Sequence, residues 1–431
     1  MAKISGLETF FYVPRRAAAV WFSIALVFTL VGIQQAHSQT FTVLHNFTGG
    51  TDGSTPEAGL TIDRAGNLYG TAASGGLGHG IVFKFSHRGS GWVMTPLHTF
   101  VGDSDGASPR ARLSIGTDGS LYGTTHQGGS STACGFAAAE PVGCGIVFNL
   151  RPAATISGSV TAPWTETVLH RFQGDDGANP SGDTTFDSGG NLYGTTEYGG
   201  GSSSNCLRGS CGIVYELEHS DGGWTEHIIY RFTGNFDGNH PRGGVVFDNL
   251  GNLYGTVVDA VPDTGGAVFE LMPSMPEWIE TTLYLFHFGF ANLGEVPVAG
   301  LIIDSQGNLY GATSLNATVF EFTFAGGSWN ALLLYTFTGA GSGPVANLAM
   351  DSAGNLYGTT LSQGANSRGS VFKLSPTGGG DWTYSTLHDF SGGSDGGYPY
   401  SNVVFDASGN LYGTASTGGT YGYGVVWQIT P

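Results

Sequence analysis

Short runs of alternating apolar and polar residues recur along the chain, and glycine-rich segments separate them. In the first unit, Gly59 to Ile62 alternates and leads into the turn Asp63 to Asn67. Leu68 to Thr71, the β-branched and aromatic run Ile81 to Phe85, and a fourth run from Trp92 to Phe100 follow. A period of two predicts strands, and Asp, Gly and Asn favour tight turns between them. Each unit therefore predicts four consecutive β-strands.

One phrase, Asn-Leu-Tyr-Gly, marks the units. Counting a single Ser-Leu-Tyr-Gly, seven copies occur, with tyrosines Tyr69, Tyr122, Tyr193, Tyr254, Tyr310, Tyr357 and Tyr412. Their mean spacing of about 57 residues suits propeller blades with long loops better than helical repeats. We therefore predict an all-β fold, a seven-bladed β-propeller.

The two ends of the repeat region are complementary. Phe41 to Phe47 matches the fourth run of another unit, Thr167 to Phe172, and lacks the three runs that should precede it. The last unit stops after its third run, which ends at Ile429. We predict that the N-terminal strand completes the last blade, because closure removes open sheet edges. The propeller is then a single domain over residues 39–431.

The fourth runs share an aromatic spacing of eight residues. It occurs in Trp92/Phe100, Trp164/Phe172, Trp224/Phe232, Trp278/Phe286, Trp329/Phe337 and Trp382/Phe390. An even spacing predicts that both rings lie on the same face of the strand and pack against the neighbouring blade.

The N-terminus has the pattern of a secretory signal peptide over residues 1–38. Lys3, Arg15 and Arg16 precede an uncharged run from Ala17 to Ile33, and Ala36-His37-Ser38 forms a small-x-small cleavage site. The apolar run is long for a signal, so an uncleaved membrane anchor is the alternative. We expect a protein that is secreted, periplasmic or on the cell surface.

The charge balance restricts the partners. Residues 1–38 hold three of the 15 basic and one of the 33 acidic residues, so the remainder carries a net charge of −20. Such a surface repels nucleic acid and anionic lipid. We expect a monomer that binds a neutral glycan, a cation or an extracellular protein, with no cofactor unless Ca²⁺ serves as one.

All four cysteines fall in two close pairs, Cys134/Cys144 and Cys206/Cys211, each within a Gly/Ser-rich segment. In an oxidising compartment, short-range pairing into two disulfides is the simplest arrangement. Zinc ligation is the competing interpretation, but the spacings lack the paired C-x-x-C form.

The repeat as a whole has a recognisable likeness. The unit resembles the GloVer-type tandem repeat of bacterial extracellular "choice-of-anchor" proteins over residues 41–431. Its Asp-x-x-Gly-Asn-Leu-Tyr turn is similar to that of NHL-like and gluconolactonase-like propellers. The resemblance implies a propeller and an extracellular location, and it implies nothing about catalysis.

The repeat helps to distinguish structural residues from functional ones. A residue present in every blade supports the blade fold, whereas a single binding or catalytic site must differ between blades. The seven repeated tyrosines are therefore interpreted as packing residues. One place on the fourth strand alternates between His and Tyr, which also indicates a structural role: His45, His98, His170, Tyr230, Tyr284, Tyr335 and His388.

Strand direction places the blade-to-blade connections and the second-to-third loops on one face, the top, where propellers usually bind ligands. Five connections contain an Asp-Gly pair, with Asp52, Asp105, Asp176, Asp237 and Asp395. A broken ring of carboxylates could bind Ca²⁺ or sugar hydroxyls. Alternatively, each Asp bonds the backbone of its own turn.

Two places near the top of the channel vary between blades. The third residue after the connecting Pro is Gly59, Arg112, Asp183, Gly244, Gly300, Asn347 or Asn402, and the fourth after the repeated Tyr is Ala73, His126, Glu197, Val258, Ser314, Leu361 or Ser416. In the two units that contain the cysteine pairs, both places are occupied by ionisable residues: Arg112 and His126 in one unit, Asp183 and Glu197 in the next. Arg110 is close to Arg112 in sequence. Arg112, His126 and Glu197 are the candidate catalytic residues of a polysaccharide lyase or hydrolase. Polar residues at a wet channel mouth would look the same.

A second difference between the units is a group of aromatic residues in the last blade, Tyr400, Tyr421 and Tyr423. Exposed rings could stack on sugars, whereas buried rings would belong to an ordinary loop. The candidate binding residues are Arg110, Arg112, Asp183, Tyr400, Asn402, Tyr421 and Tyr423. The first hypothesis is a propeller that binds a glycan or another extracellular partner; the second is the enzyme, and the third is a structural cell-envelope protein.

Overall fold

A computed structural model describes residues 39–431 except 90, 131–133, 135–142, 153–163, 202–205, 207–209, 261–263, 275, 288, 290–292 and 340. The predicted signal peptide and the alternative anchor, residues 1–38, lie outside the described residues. Within the described ranges no helix is long and apolar enough to cross a membrane.

The described chain forms seven four-stranded antiparallel sheets, the blades. Blade 1 contains β2 (Thr61–Ile62), β3 (Leu68–Ala72), β4 (Ile81–Arg88) and β5 (Gly91–Thr99). Blade 2 contains β6 (Ser114–Ile115), β7 (Leu121–Thr125), β8 (Ile146–Arg151) and β9 (Thr165–Arg171). Blade 3 contains β10 (Thr185–Phe186), β11 (Leu192–Thr196), β12 (Ile213–Ser220) and β13 (Gly223–Arg231). Blade 4 contains β14 (Val246–Phe247), β15 (Leu253–Val257), β16 (Thr264–Met272) and β17 (Ile279–His287).

The remaining blades follow the same plan. Blade 5 contains β18 (Ile302–Ile303), β19 (Leu309–Thr313), β20 (Thr318–Ala325) and β21 (Ser328–Thr336). Blade 6 contains β22 (Ala349–Met350), β23 (Leu356–Thr360), β24 (Ser370–Pro376) and β25 (Trp382–Asp389). Blade 7 contains β26 (Val404–Phe405), β27 (Leu411–Ala415), β28 (Val425–Thr430) and, as its fourth strand, β1 (Thr40–Asn46).

Closure by the N-terminal strand is confirmed. β1 pairs antiparallel with β28, with Phe41 opposite Ile429 and Thr42 opposite Gln428. Beyond the ladder, the Phe47 amide donates to the Gly424 carbonyl at 3.0 Å. The ring therefore closes through backbone hydrogen bonds between the two ends of the propeller.

The prediction that the fourth-strand aromatics share one face is wrong. Trp92 packs on Tyr412 of blade 7 at 5.7 Å between ring centroids, whereas Phe100 packs on Phe148 of blade 2 at 5.3 Å. The reason is a β-bulge: Val82 pairs with His98 and Phe83 with Pro96, which leaves Leu97 unpaired. One extra residue reverses the alternation. The same register shift occurs in the fourth strand of every blade, so each fourth strand contacts both neighbouring blades.

The repeated Tyr and the Asp-x-x-Gly-Asn turn form one scaffold unit. Tyr69 is buried, and its hydroxyl donates to Asp63 at 3.0 Å. The same carboxylate accepts from the amide and the side chain of Asn67. Equivalent Tyr-to-Asp bonds occur at Tyr254, Tyr310, Tyr357 and Tyr412. These contacts are consistent with the packing role inferred for the tyrosines.

Candidate functional site

A small cavity of about 90 Å³ lies at the top of the central channel, and its walls come from all seven blades. Connections and second-to-third loops bridge each other on this face, as in the pair formed by Ser54 and Ser74. The first and third residues after each connecting Pro supply most of the walls. We call this surface the channel mouth; its polar residues are Glu57, Arg110, Arg112, Ser181, Asp183, Arg242, Asn347, Tyr400 and Asn402.

The floor of the channel mouth is a hydrogen-bonded network across the axis. The Arg112 side chain donates from Nε to Asp183 at 3.1 Å, and its backbone amide donates to the other carboxylate oxygen at 3.0 Å. Asn347 donates to the same carboxylate at 3.3 Å and accepts from the Gly300 amide at 2.7 Å. Asp183 therefore joins blades 2, 3 and 6, and this network narrows the channel.

Asn402 occupies the place that a side chain on residue 59 would need. A Cβ added to Gly59 would lie 1.4 Å from the Asn402 Oδ1 atom, so any larger residue there would displace the Asn402 side chain. That oxygen is buried and has no hydrogen-bond partner among the described residues. The axis therefore presents one acceptor that no described protein group uses.

The rim of the channel mouth carries two further ion pairs between adjacent blades. Arg110 lies 3.3 Å from Glu57, and Arg242 donates to Glu197 at 2.9 and 2.7 Å. Arg242 was missed in the sequence analysis. It follows Pro241 directly, as Arg110 follows Pro109, and this first place after the connecting Pro was the signal that could have revealed it.

Glu197 is buried between His126 and Arg242. Its carboxylate lies 3.8 Å from His126 Nε2. Burial alone would raise the pKa of Glu197, but the contacts to His126 and Arg242 outweigh it and lower that pKa to about 2. Glu197 is therefore ionised at neutral pH and unsuited to donate a proton.

The structure divides the candidate catalytic set. It brings His126 and Glu197 together, whereas Arg112 pairs with Asp183. The guanidinium that contacts Glu197 belongs to Arg242. His126 is also flanked by Asn179, whose amide donates to the His126 carbonyl at 2.8 Å. The two residues beside the His126 imidazole are thus fixed by hydrogen bonds: Glu197 accepts from Arg242, and the side chain of Asn179 donates to the His126 backbone carbonyl.

The five connection aspartates accept hydrogen bonds within their own turns. Asp52 accepts from the Thr48 amide at 3.0 Å and lies 3.1 Å from His45 Nε2. Asp237 accepts from Tyr230 at 3.0 Å and from the Thr233 amide at 2.7 Å. Comparable bonds hold Asp105, Asp176 and Asp395. At this place on the fourth strand, His45, His170 and His388 each lie 3.1 Å from the connection Asp, and Tyr230 donates to Asp237. In the described part of the chain no group of three or more His, Cys, Asp or Glu is placed to hold a metal ion.

The closing-blade tyrosines are exposed. Tyr400, Tyr421 and Tyr423 expose 41%, 58% and 48% of their surface. Tyr400 lines the channel mouth, where burial and nearby Glu57 raise its pKa. Tyr421 and Tyr423 lie on the second-to-third loop of blade 7. The alternative of buried rings is therefore wrong for all three.

Both predicted disulfides are present, Cys134–Cys144 and Cys206–Cys211. They lie in the second-to-third loops of blades 2 and 3, and the four cysteines are buried. The two disulfides thus cross-link the loops that begin at His126 and Glu197.

These features define a β-propeller repeat protein with an elaborated top face. The chain belongs to the Gloeobacter/Verrucomicrobia repeat family, which matches residues 29–136, 134–318 and 280–431. No curated protein matches the chain.

Similar solved structures are propellers of low sequence identity. Virginiamycin B lyase from Staphylococcus aureus is 14% identical, with a TM-score of 0.53, over 91% of this chain and 99% of that one. A putative 6-phosphogluconolactonase from Bacteroides uniformis is 16% identical, with a TM-score of 0.48, over 78% and 84%. A gluconolactonase from Xanthomonas campestris is 14% identical, with a TM-score of 0.37, over 61% and 74%. At these identities the likeness concerns the fold alone.

Proposed function

We propose that this protein is an exported propeller that binds a glycan, or another polyhydroxylated extracellular ligand, at the channel mouth. The observation that carries the proposal is the pairing of charges there. Arg110 with Glu57 and Arg112 with Asp183 are neutralised between blades. The guanidinium groups stay more than a third exposed, so they offer fixed hydrogen-bond donors without a net charge. Such a surface suits neutral hydroxyl groups better than a highly charged ligand.

Tyr400 supplies the apolar part of the proposed site. Its exposed ring lies beside the Arg110–Glu57 pair, and an aromatic ring next to fixed polar groups can stack on the apolar face of a sugar. Tyr421 and Tyr423 would extend this surface along blade 7. The two disulfides support export, because disulfides persist in oxidising compartments.

The test is a glycan array on the purified protein, with and without Ca²⁺. We expect binding that is lost in Tyr400→Ala and retained in Phe236→Ala, whose ring is 67% exposed on a blade connection away from the channel mouth. Equal loss in both variants would contradict the site, and no bound glycan in either condition would favour the structural role.

The second candidate function is a polysaccharide lyase or hydrolase, and the 3.8 Å contact of His126 with Glu197 favours it. The low pKa of Glu197 argues against a role as proton donor. Incubation of the array ligands with the protein separates the two functions. Binding without shortening supports the binding protein, whereas shortening that His126→Ala abolishes would establish the enzyme.

A further inference from the structure

A second cavity lies on the opposite, bottom face, between blades 4 and 5, and it is much larger than the one at the channel mouth. Its volume is about 520 Å³, within the range typical of small-molecule sites. The Asp-x-x-Gly-Asn turns of both blades and the hairpin between β20 and β21 form its walls. We call it the bottom groove; the residues that matter here are Leu250, Tyr254, Glu270, Met272, Phe324 and Trp329.

Two apolar side chains in the walls of the bottom groove, Leu250 and Phe324, are departures from the repeat. At the place of Leu250 the other turns carry Ala65, Asp118, Gly189, Gln306, Ala353 and Ser408. At the place of Phe324 the other blades carry His87, Pro152, His219, Pro273, Pro376 and Pro431. Leu250 is 84% exposed and Phe324 is 60% exposed. In two other blades a histidine ring at the Phe324 place packs on the equivalent Trp, as His87 does on Trp92 and His219 on Trp224, but no other turn carries a large apolar side chain at the Leu250 place. A ligand that contacts Leu250 and Phe324 would explain why both are apolar and exposed.

The groove combines aromatic rings with carboxylates. Trp329 lies 5.6 Å from Tyr254 and 5.4 Å from Phe324 between ring centroids. Asp248, Glu270 and Asp304 are also in the lining, and none of the described lining residues is Lys or Arg. Aromatic faces with nearby negative charge attract organic cations, and quaternary ammonium groups are recognised in this way.

The chain itself places a cation at the equivalent position of two other blades. Lys84 lies over the ring of Tyr69 at 5.3 Å, and Lys373 lies over Tyr357 at 5.4 Å. In blade 4 the residue at the Lys84 position is Glu270, which accepts a hydrogen bond from Tyr254 at 2.8 Å. In blade 4 a carboxylate that lines the groove therefore replaces the internal cation of blades 1 and 6.

We propose that the bottom groove binds a small organic cation, an ammonium group that carries an apolar substituent. The ammonium lies against the Trp329 ring near Glu270, and the substituent packs on Leu250, Met272 and Phe324. The site is independent of the channel mouth, since it lies on the other face and takes a different class of ligand.

Charge is tested first, with choline and its uncharged carbon analogue 3,3-dimethylbutan-1-ol. Binding is followed by broadening of the ligand methyl resonances on titration with the purified protein. We expect choline to bind at least about tenfold more tightly than the analogue, equivalent to about 1.4 kcal/mol, and benzyltrimethylammonium to bind more tightly than choline. Equal binding of choline and the analogue would overturn the proposal.

The location of the cation site is tested with Glu270→Lys, which reproduces the arrangement of Lys84 over Tyr69. This variant should fold, because two other blades carry Lys at the same place. We expect this variant to lose choline binding by about tenfold or more. The matched control is Glu321→Lys, the same change one blade further, where Glu321 also accepts from a repeated tyrosine, Tyr310. It should leave binding unchanged, and an equal loss in both variants would contradict a site in the bottom groove.

The aromatic wall is tested with Phe324→Ser, which removes an exposed ring and should weaken benzyltrimethylammonium binding severalfold. Phe236→Ser removes a similarly exposed ring on the other face and should have no effect. Retention of full affinity in Phe324→Ser would refute the assigned wall.

Discussion

Glu166 on β9 offers the sharpest test of how charge is arranged between the blades. Its Oε1 atom is buried without a hydrogen-bond partner among the described residues. Burial, followed by the nearby negative charge of Asp105, raises the pKa of Glu166 from 4.5 to about 7. Between about pH 4.5 and 7, the Glu166 carboxyl is therefore protonated in the folded protein and ionised in the unfolded chain.

Proton linkage determines whether Glu166 stabilises or destabilises the fold as the pH rises. Between about pH 4.5 and 7 the folded state binds more protons than the unfolded state, so this residue lowers the free energy of unfolding as the pH rises through that window. The full pKa difference corresponds to about 3 kcal/mol. Because the side chain is only half-buried, solvent screening reduces the expected effect to about 1–2 kcal/mol.

Glu166→Gln removes this penalty, since the amide resembles the protonated carboxyl. We expect the variant to be more stable than the wild type by about 1–2 kcal/mol at pH 8 and equal to it within about 0.5 kcal/mol at pH 4.5. In a protein of this size the gain corresponds to about 1–3 °C in Tm. Guanidinium unfolding and calorimetry at both pH values measure it.

The matched control is Glu218→Gln, on an exposed carboxylate that lies 3.1 Å from His227. It should not become more stable at pH 8. A gain in Glu166→Gln that is the same at both pH values would show that packing and not charge is responsible, and a loss at pH 8 would refute the reasoning.

Three further predictions concern the top face and ring closure. Arg242→Ala leaves Glu197 buried without its guanidinium and should lower the free energy of unfolding by about 1–3 kcal/mol at pH 7. Because Arg242 helps to lower the pKa of Glu197 to about 2, this loss should shrink as the pH falls below about 4.5; a loss that is constant with pH in urea titrations would contradict the ion pair. A protein that begins at Thr48 lacks β1 and exposes the edge of β28, so we expect a lower Tm and concentration-dependent association by light scattering, and an unchanged monomeric protein would argue against closure. Since Asp52 and its equivalents accept hydrogen bonds within their turns, EDTA should change the Tm by less than about 1 °C, and a drop of several degrees would reveal a bound metal.

The family relationship and the paired disulfides agree with the architecture expected from the repeat, but neither identifies the ligand. The two cavities differ in what they offer. The channel mouth presents paired charges and one exposed tyrosine, whereas the bottom groove presents apolar walls and carboxylates, with no Lys or Arg among its described lining residues. The two proposed ligands are therefore chemically distinct, and each can fail without the other.

The amino-acid sequence alone determined the number of blades, the ring closure and the scaffold role of the repeated Tyr. These properties depend on local strand patterning and turn chemistry, which recur visibly in every unit. Departures such as Tyr400, His126 and Glu197 could be recognised for the same reason, because a repeat makes an exception conspicuous.

Only the tertiary structure decided which residues meet. The bulge at Leu97 and its equivalents reverses the strand alternation, and a two-residue period read from spacing alone cannot reveal an unpaired residue. Arg242 contacts Glu197, and Leu250 lies near Phe324, because neighbouring blades pack side by side. Residues tens of positions apart meet only when the angle between two sheets is set, and that angle depends on the packing of the whole ring.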